Sequence, residues 1–182
     1  MEGAVEASIL FAAGFVEGAR ACLAELRDRD IGAPRAWTLI FDLHRALGER
    51  SAFVELLEQF GAIFPDVAQP CWASPGIPGG GVVALEGRIS SAADLDPVRN
   101  VAKSRIVVLD FGRLSRIDFT VAPELCALLR VYVDRSVRVI LANVSELHEL
   151  LLRETGLPTE LTLLPRRTAA PTLATVPMGL AA

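Results

Sequence analysis

Between residues 65 and 81 the chain changes its hydrophobic period, and that change limits it to two structurally unlike halves. Pro65, Pro70, Pro75, Pro78 and the run Gly79-Gly80-Gly81 continue neither a helix nor a strand. Proline lacks an amide donor and crowds the preceding turn, while consecutive glycines lose the most backbone entropy on ordering. Before this stretch apolar residues recur at helical spacing; after it, short apolar runs alternate with amphipathic segments. The 182 residues suffice for one ordinary domain or two small ones. The expected organisation is a helical domain at 1–64, a linker at 65–80, an α/β domain at 81–167 and a disordered tail at 168–182. Trp72 interrupts the linker's polarity and is expected to pin it against a neighbouring helix.

In the first half the helical period breaks at Gly14, at Asp30-Ile31-Gly32-Ala33-Pro34 and at Gly48. These stops predict four helices near 3–13, 15–29, 35–47 and 50–63, with Pro34 suited to a first helical turn, where its missing amide is not needed. Ile9 and Leu43, Gly14 and Gly48, Ala19 and Phe53, Leu23 and Leu57, and Leu26 and Phe60 all share an offset of 34 residues, the tetratricopeptide period. The pattern fits two tetratricopeptide-like hairpins or a four-helix bundle with coincidental spacing.

In the second half Val82-Val83-Ala84-Leu85, Ile106-Val107-Val108-Leu109, Val137-Arg138-Val139-Ile140-Leu141 and 161–164 read as strands. Segments 92–102, 121–133 and 145–154 read as the helices between them. Alternation of this kind predicts an α/β fold with a mainly parallel sheet and crossover helices, because each helix returns the chain in the same direction.

Hydrophobic residues make up 52% and charged residues 22% of the chain, a mixture able to build a core. A net charge of −4 supplies no basic field for a phosphate backbone, so nucleic acid is not expected as a partner. Cys22, Cys71 and Cys126 have no C-x-x-C spacing, and His44 and His148 lie far apart, so neither a disulfide framework nor a metal site is suggested. The uncharged run 67–85 contains Pro70, Pro75 and Pro78 and cannot form a membrane helix. Glu2 and Glu6 stand where an export signal carries positive charge, so a cytoplasmic location is expected.

Catalytic constellations are absent from the reading, and no enzyme activity or cofactor is expected. Gly79-Gly80-Gly81 lacks the Lys and Ser or Thr of a phosphate loop. Ser90-Ser91 reads as a helix cap, Cys126 as a buried small hydrophobe, His148 as solvated surface and His44 as a packing histidine.

The second half resembles a STAS domain, the non-catalytic module of bacterial anti-sigma-factor antagonists. Leu85-Glu86-Gly87-Arg88-Ile89 is similar to that family's opening strand bend, Ile106-Val107-Val108-Leu109-Asp110 to its hydrophobic strand ending in Asp, and Arg116-Ile117-Asp118 to the approach to its switch site. Leu141-Ala142-Asn143-Val144, with the segment 151–157 ending in Gly-Leu, is similar to its closing strand and helix. The helical half likewise resembles that of two-domain STAS proteins of proteobacteria.

In the family the Asp is followed by two serines, the first of them phosphorylated by a kinase that is also the anti-sigma factor. Here Phe119 stands at that position and Thr120 at the second serine. The resemblance therefore implies a signalling adaptor without the usual phosphoserine, with Thr120 as the remaining phosphorylation candidate; locally, Thr120 also reads as a helix cap. The loop 113–124, with Arg113, Arg116, Asp118, Phe119, Thr120 and Glu124, becomes the expected contact for a protein partner, an anti-sigma or kinase-like regulator. The helical half would supply a second contact or a homodimer interface. Two other readings stay open: a nucleotide or small-anion binding module at the same loop, and a regulatory subunit of a lipid-transport ATPase.

Overall fold

The computed structural model describes residues 2–73, 81–101 and 105–166. Four helices open it: α1 (Glu2–Ala12), α2 (Val16–Arg29), α3 (Pro34–Leu47) and α4 (Arg50–Ile63). Gly14 (φ 90°) and Gly48 (φ 74°) adopt the left-handed conformation that closes α1 and α3, which a residue with a Cβ resists. Pro34 starts α3 as expected. An aromatic chain runs through these helices. Phe41 meets Phe53 at 4.8 Å between centroids, and Phe53 meets Trp72 edge-on at 5.2 Å. Trp72 thus holds the described part of the linker on α4.

Strands β1 (Val82–Ile89), β2 (Ile106–Ile117), β3 (Arg138–Val144) and β4 (Thr162–Pro165) form one parallel sheet in the order β1-β2-β3-β4. The register aligns Val83, Leu109, Leu141 and Leu163 in one row across the sheet. Between the strands lie a 3-10 turn (Ala92–Leu95) with α5 (Asp96–Arg99), then α6 (Ala122–Asp134) and α7 (Glu146–Glu154). Parallel neighbours in sequential order carry their crossovers over the same face of the sheet. The Tyr132 hydroxyl joins two of these crossovers by donating to the Val98 carbonyl at 2.5 Å.

Two differences from the sequence reading stand out. The segment 92–102 is not one long helix: Ser91 and Asp94 form a capping box on the 3-10 turn, α5 ends at Arg99, and 102–104 lie outside the described residues. Strand β2 does not stop at Leu109 but runs on to Ile117, held by β1 through two register shifts. Arg113 and Arg116 are therefore strand residues and not loop residues. The expected tail at 168–182 and the glycine run 79–81, apart from Gly81, also lie outside the described residues.

Two hydrophobic clusters meet at α7. Leu147 and the half-buried Leu150 pack with α1–α4, whereas Leu151 and Leu152 pack with the sheet, and Ala12 of α1 joins the sheet cluster. No helix among the described residues is long and apolar enough to cross a membrane.

Candidate functional site

The turn from β2 into α6 is fixed from three directions. Asp118 N donates to the Ile89 carbonyl at 2.8 Å, Phe119 N donates to the Ala12 carbonyl at 3.2 Å, and the Asp118 carbonyl accepts from Val121 N and Ala122 N at 2.9 and 3.1 Å. The Asp118 carboxylate takes a two-pronged contact from Arg88, with Nε to Oδ1 at 2.8 Å and Nη2 to Oδ2, and a further bond from Arg116 Nε at 3.2 Å. Hydrogen bonding from Arg88 and the charges of both arginines hold Asp118 below the ordinary carboxylate range.

This frame presents Phe119 to solvent. The side chain is 39% exposed and belongs to neither hydrophobic cluster. Phe15, at the start of α2, is 66% exposed and stands near the same corner: Arg116 Nη1 lies 3.8 Å from where a Cβ on neighbouring Gly14 would sit. Two open aromatics and an arginine-held carboxylate therefore share the corner formed by the end of α1 and the start of α6.

Of the residues singled out in the sequence, Arg116, Asp118, Phe119 and Thr120 come together here. Arg113 points elsewhere, pairing with Glu86 across the strands at 2.9 Å, and is 80% exposed. Glu124 sits in the first turn of α6 with Arg99 at 3.9 Å. Thr120 is exposed but is not the cap: Val121 holds the N-cap position and makes no side-chain capping bond. Arg88 completes the clamp and escaped the sequence reading. Its signal was its place beside Gly87, in a bend whose partner strand was not recognised.

A second polar cluster lies where the carboxyl ends of β2, β3 and β4 meet α3. Asp42, buried in α3, accepts from Arg45 Nη1 on Oδ1 and from the Glu146 amide on Oδ2, both at 2.7 Å, so a side chain of the first half occupies the amino end of α7. Burial pushes the Asp42 carboxyl upward while Arg45 opposes this. Arg35 adds an ion pair to Glu146. Ser145 caps α7, its Oγ accepting from His148 N at 3.2 Å and lying 3.0 Å from His148 Nδ1.

His148 is only 3% exposed, which corrects its reading as solvated surface: α7 is enclosed on two sides, so its polar positions are not all wet. Burial, reinforced by the Arg166 charge, pushes its pKa down to about 3, and the ring is neutral at pH 7. Asn143 (φ 54°) donates to Asp110 Oδ1 at 2.8 Å beneath this cluster. Among the described residues no group of His, Cys, Asp and Glu side chains is arranged to hold a metal ion.

The chain was compared with protein-family models, with curated proteins and with solved structures, and none of the three gives a match.

Proposed function

We propose that this protein is a non-catalytic adaptor of STAS-like type that docks a protein partner at the turn between β2 and α6. The carrying observation is Phe119, an aromatic side chain 39% exposed on a turn whose backbone is pinned at Asp118, Phe119 and Val121. A wet aromatic on a rigid support, beside Phe15 and a pair of arginines, has the composition of residues that dominate protein interfaces. Pre-ordering of the turn lowers the entropy lost on binding. The parallel sheet with crossover helices is compatible with the STAS resemblance, which puts the regulatory contact at this same turn. Exposed Thr120 next to the anchor gives a kinase-like regulator a hydroxyl to modify, and a phosphate there would add charge beside Arg88 and Arg116.

The test is Phe119→Ser in the full chain. As an anchor, Phe119 is expected to contribute about 2 kcal/mol or more to partner affinity with little effect on melting temperature. A photo-crosslinking residue at position 119 should capture one defined partner from the native cell, and the same residue at exposed Val54 should not. A large fall in melting temperature with unchanged capture would overturn the proposal.

A further inference from the structure

A cavity of about 160 Å³ opens between α3 and the carboxyl ends of the strands, walled by Arg45, Trp72, Ser115, Ser145, His148 and Arg166. An adjoining hollow of about 290 Å³ shares Asp42, Arg45, Ser145 and Arg166 with it. Arg45 is already satisfied: Nε donates to the Cys71 carbonyl and Nη1 to Asp42, each at 2.7 Å. Arg166 is not. Its Nη2 makes only long bonds to the carbonyls of Phe111 and Gly112, at 3.5 and 3.3 Å, and its buried Nε has no partner.

Among the described residues no carboxylate forms an ion pair with Arg166. Asp42 is committed to Arg45 and the Glu146 amide, and Asp110 Oδ1 to Gly112 N and Asn143. The unpartnered Nε is costly, because it has lost its water without gaining an acceptor, and Asp42 and Asp110 act on this guanidinium only through space. Arg166 disfavours the charge on Arg45.

We propose that this cavity binds a small oxyanion, a carboxylate or phosphate group, against the guanidinium of Arg166. The planar fork of a guanidinium matches two oxygens of such a group. The volume admits an ion of that size. The proposal rests on Arg166 and not on Phe119, so it stands or falls independently of the docking reading.

The experiment is thermal unfolding of the full chain with sodium phosphate and with sodium acetate, each against sodium chloride at matched ionic strength. A saturable rise in melting temperature with either is expected, and which anion gives it separates phosphate from carboxylate chemistry. Arg166→Gln should weaken the response about tenfold or more, since it removes a charge-assisted bond, whereas Arg29→Gln, on α2 and paired with Glu25, should change it little. Trp72 lines the cavity, so its emission should shift with the same midpoint, and the shift should vanish in Trp72→Phe; this arm decides the matter if Arg166→Gln does not fold. No response beyond chloride, an equal response in Arg166→Gln, or a Trp72 emission blind to both anions would overturn the proposal.

Discussion

Arg88 and Asp118 lie on different elements, at the end of β1 and just past β2, and meet in a two-pronged ion pair that Arg116 completes from the neighbouring strand. This contact and the backbone bonds of Asp118 and Phe119 together fix the β2–α6 turn. Asp118 titrates below its unfolded value of about 3.9. The stabilisation it brings is therefore fully present above that pH and is lost as pH falls through the lower folded value. Asp118→Asn should show a melting deficit relative to the parent that is constant from neutral pH down to about 5 and fades below about 4. Melting curves across that range check it; a deficit that grows on acidification would contradict the pairing.

His148 has the opposite chemistry and the same direction of pH dependence. Its folded pKa of about 3 lies below the unfolded value of about 6.5, so between these two the unfolded chain binds one more proton than the folded one. Stability from the neutral buried ring is complete above about pH 6.5 and declines toward pH 3, with a slope approaching 1.4 kcal/mol per pH unit. His148→Gln should be less stable at pH 7 but should lose less on going to pH 5, by denaturant titration at both pH values.

The Asp42–Arg45 pair is nearly dry, with side chains 3% and 8% exposed. Removing one partner strands the other, so Asp42→Ala should cost about 3–5 kcal/mol, whereas Asp42→Ala combined with Arg45→Met should recover much of that loss. Chemical denaturation of the two single variants and the double variant measures the coupling. Part of the Asp42→Ala cost should remain in the double variant, because the Glu146 amide keeps no acceptor.

Ser145 and Thr120 both precede a helix, yet only Ser145 bonds to it. Ser145→Ala should cost about 1 kcal/mol. Thr120→Ala, an exposed change without a cap to lose, should stay within about 0.5 kcal/mol. Equal losses at the two positions would mean that Thr120 caps α6 in solution.

The helices and the cores of the strands were legible because each carries its own local signal: glycine stops at 14 and 48, Pro34 at a helix start, and apolar runs at 106–109 and 139–141. The far half of β2 was not. Gly112-Arg113-Leu114-Ser115-Arg116 has no apolar run, and it is a strand only because Glu86, Gly87 and Arg88 lie beside it, in a register shifted by bulges that periodicity does not encode. Part of the candidate corner was visible as Arg116, Asp118, Phe119 and Thr120. Arg88 and Phe15 were not, since they join it through tertiary contacts. The polar seam was invisible for the same reason: Asp42 looks like one polar residue on an apolar helix until it meets an amide 104 positions away.

Because α7 turns Leu147 and Leu150 toward the first half and Leu151 and Leu152 toward the sheet, the linker is not a line along which the chain can be cut. A fragment starting at β1 would carry a greasy stripe on its last helix together with a Glu146 amide that has lost its Asp42 acceptor. Gene rearrangement that transplanted the sheet alone would thus hand its new host an aggregation-prone cassette. Changes at Leu147 or Leu150 are expected to be matched by changes in the helices that cover them.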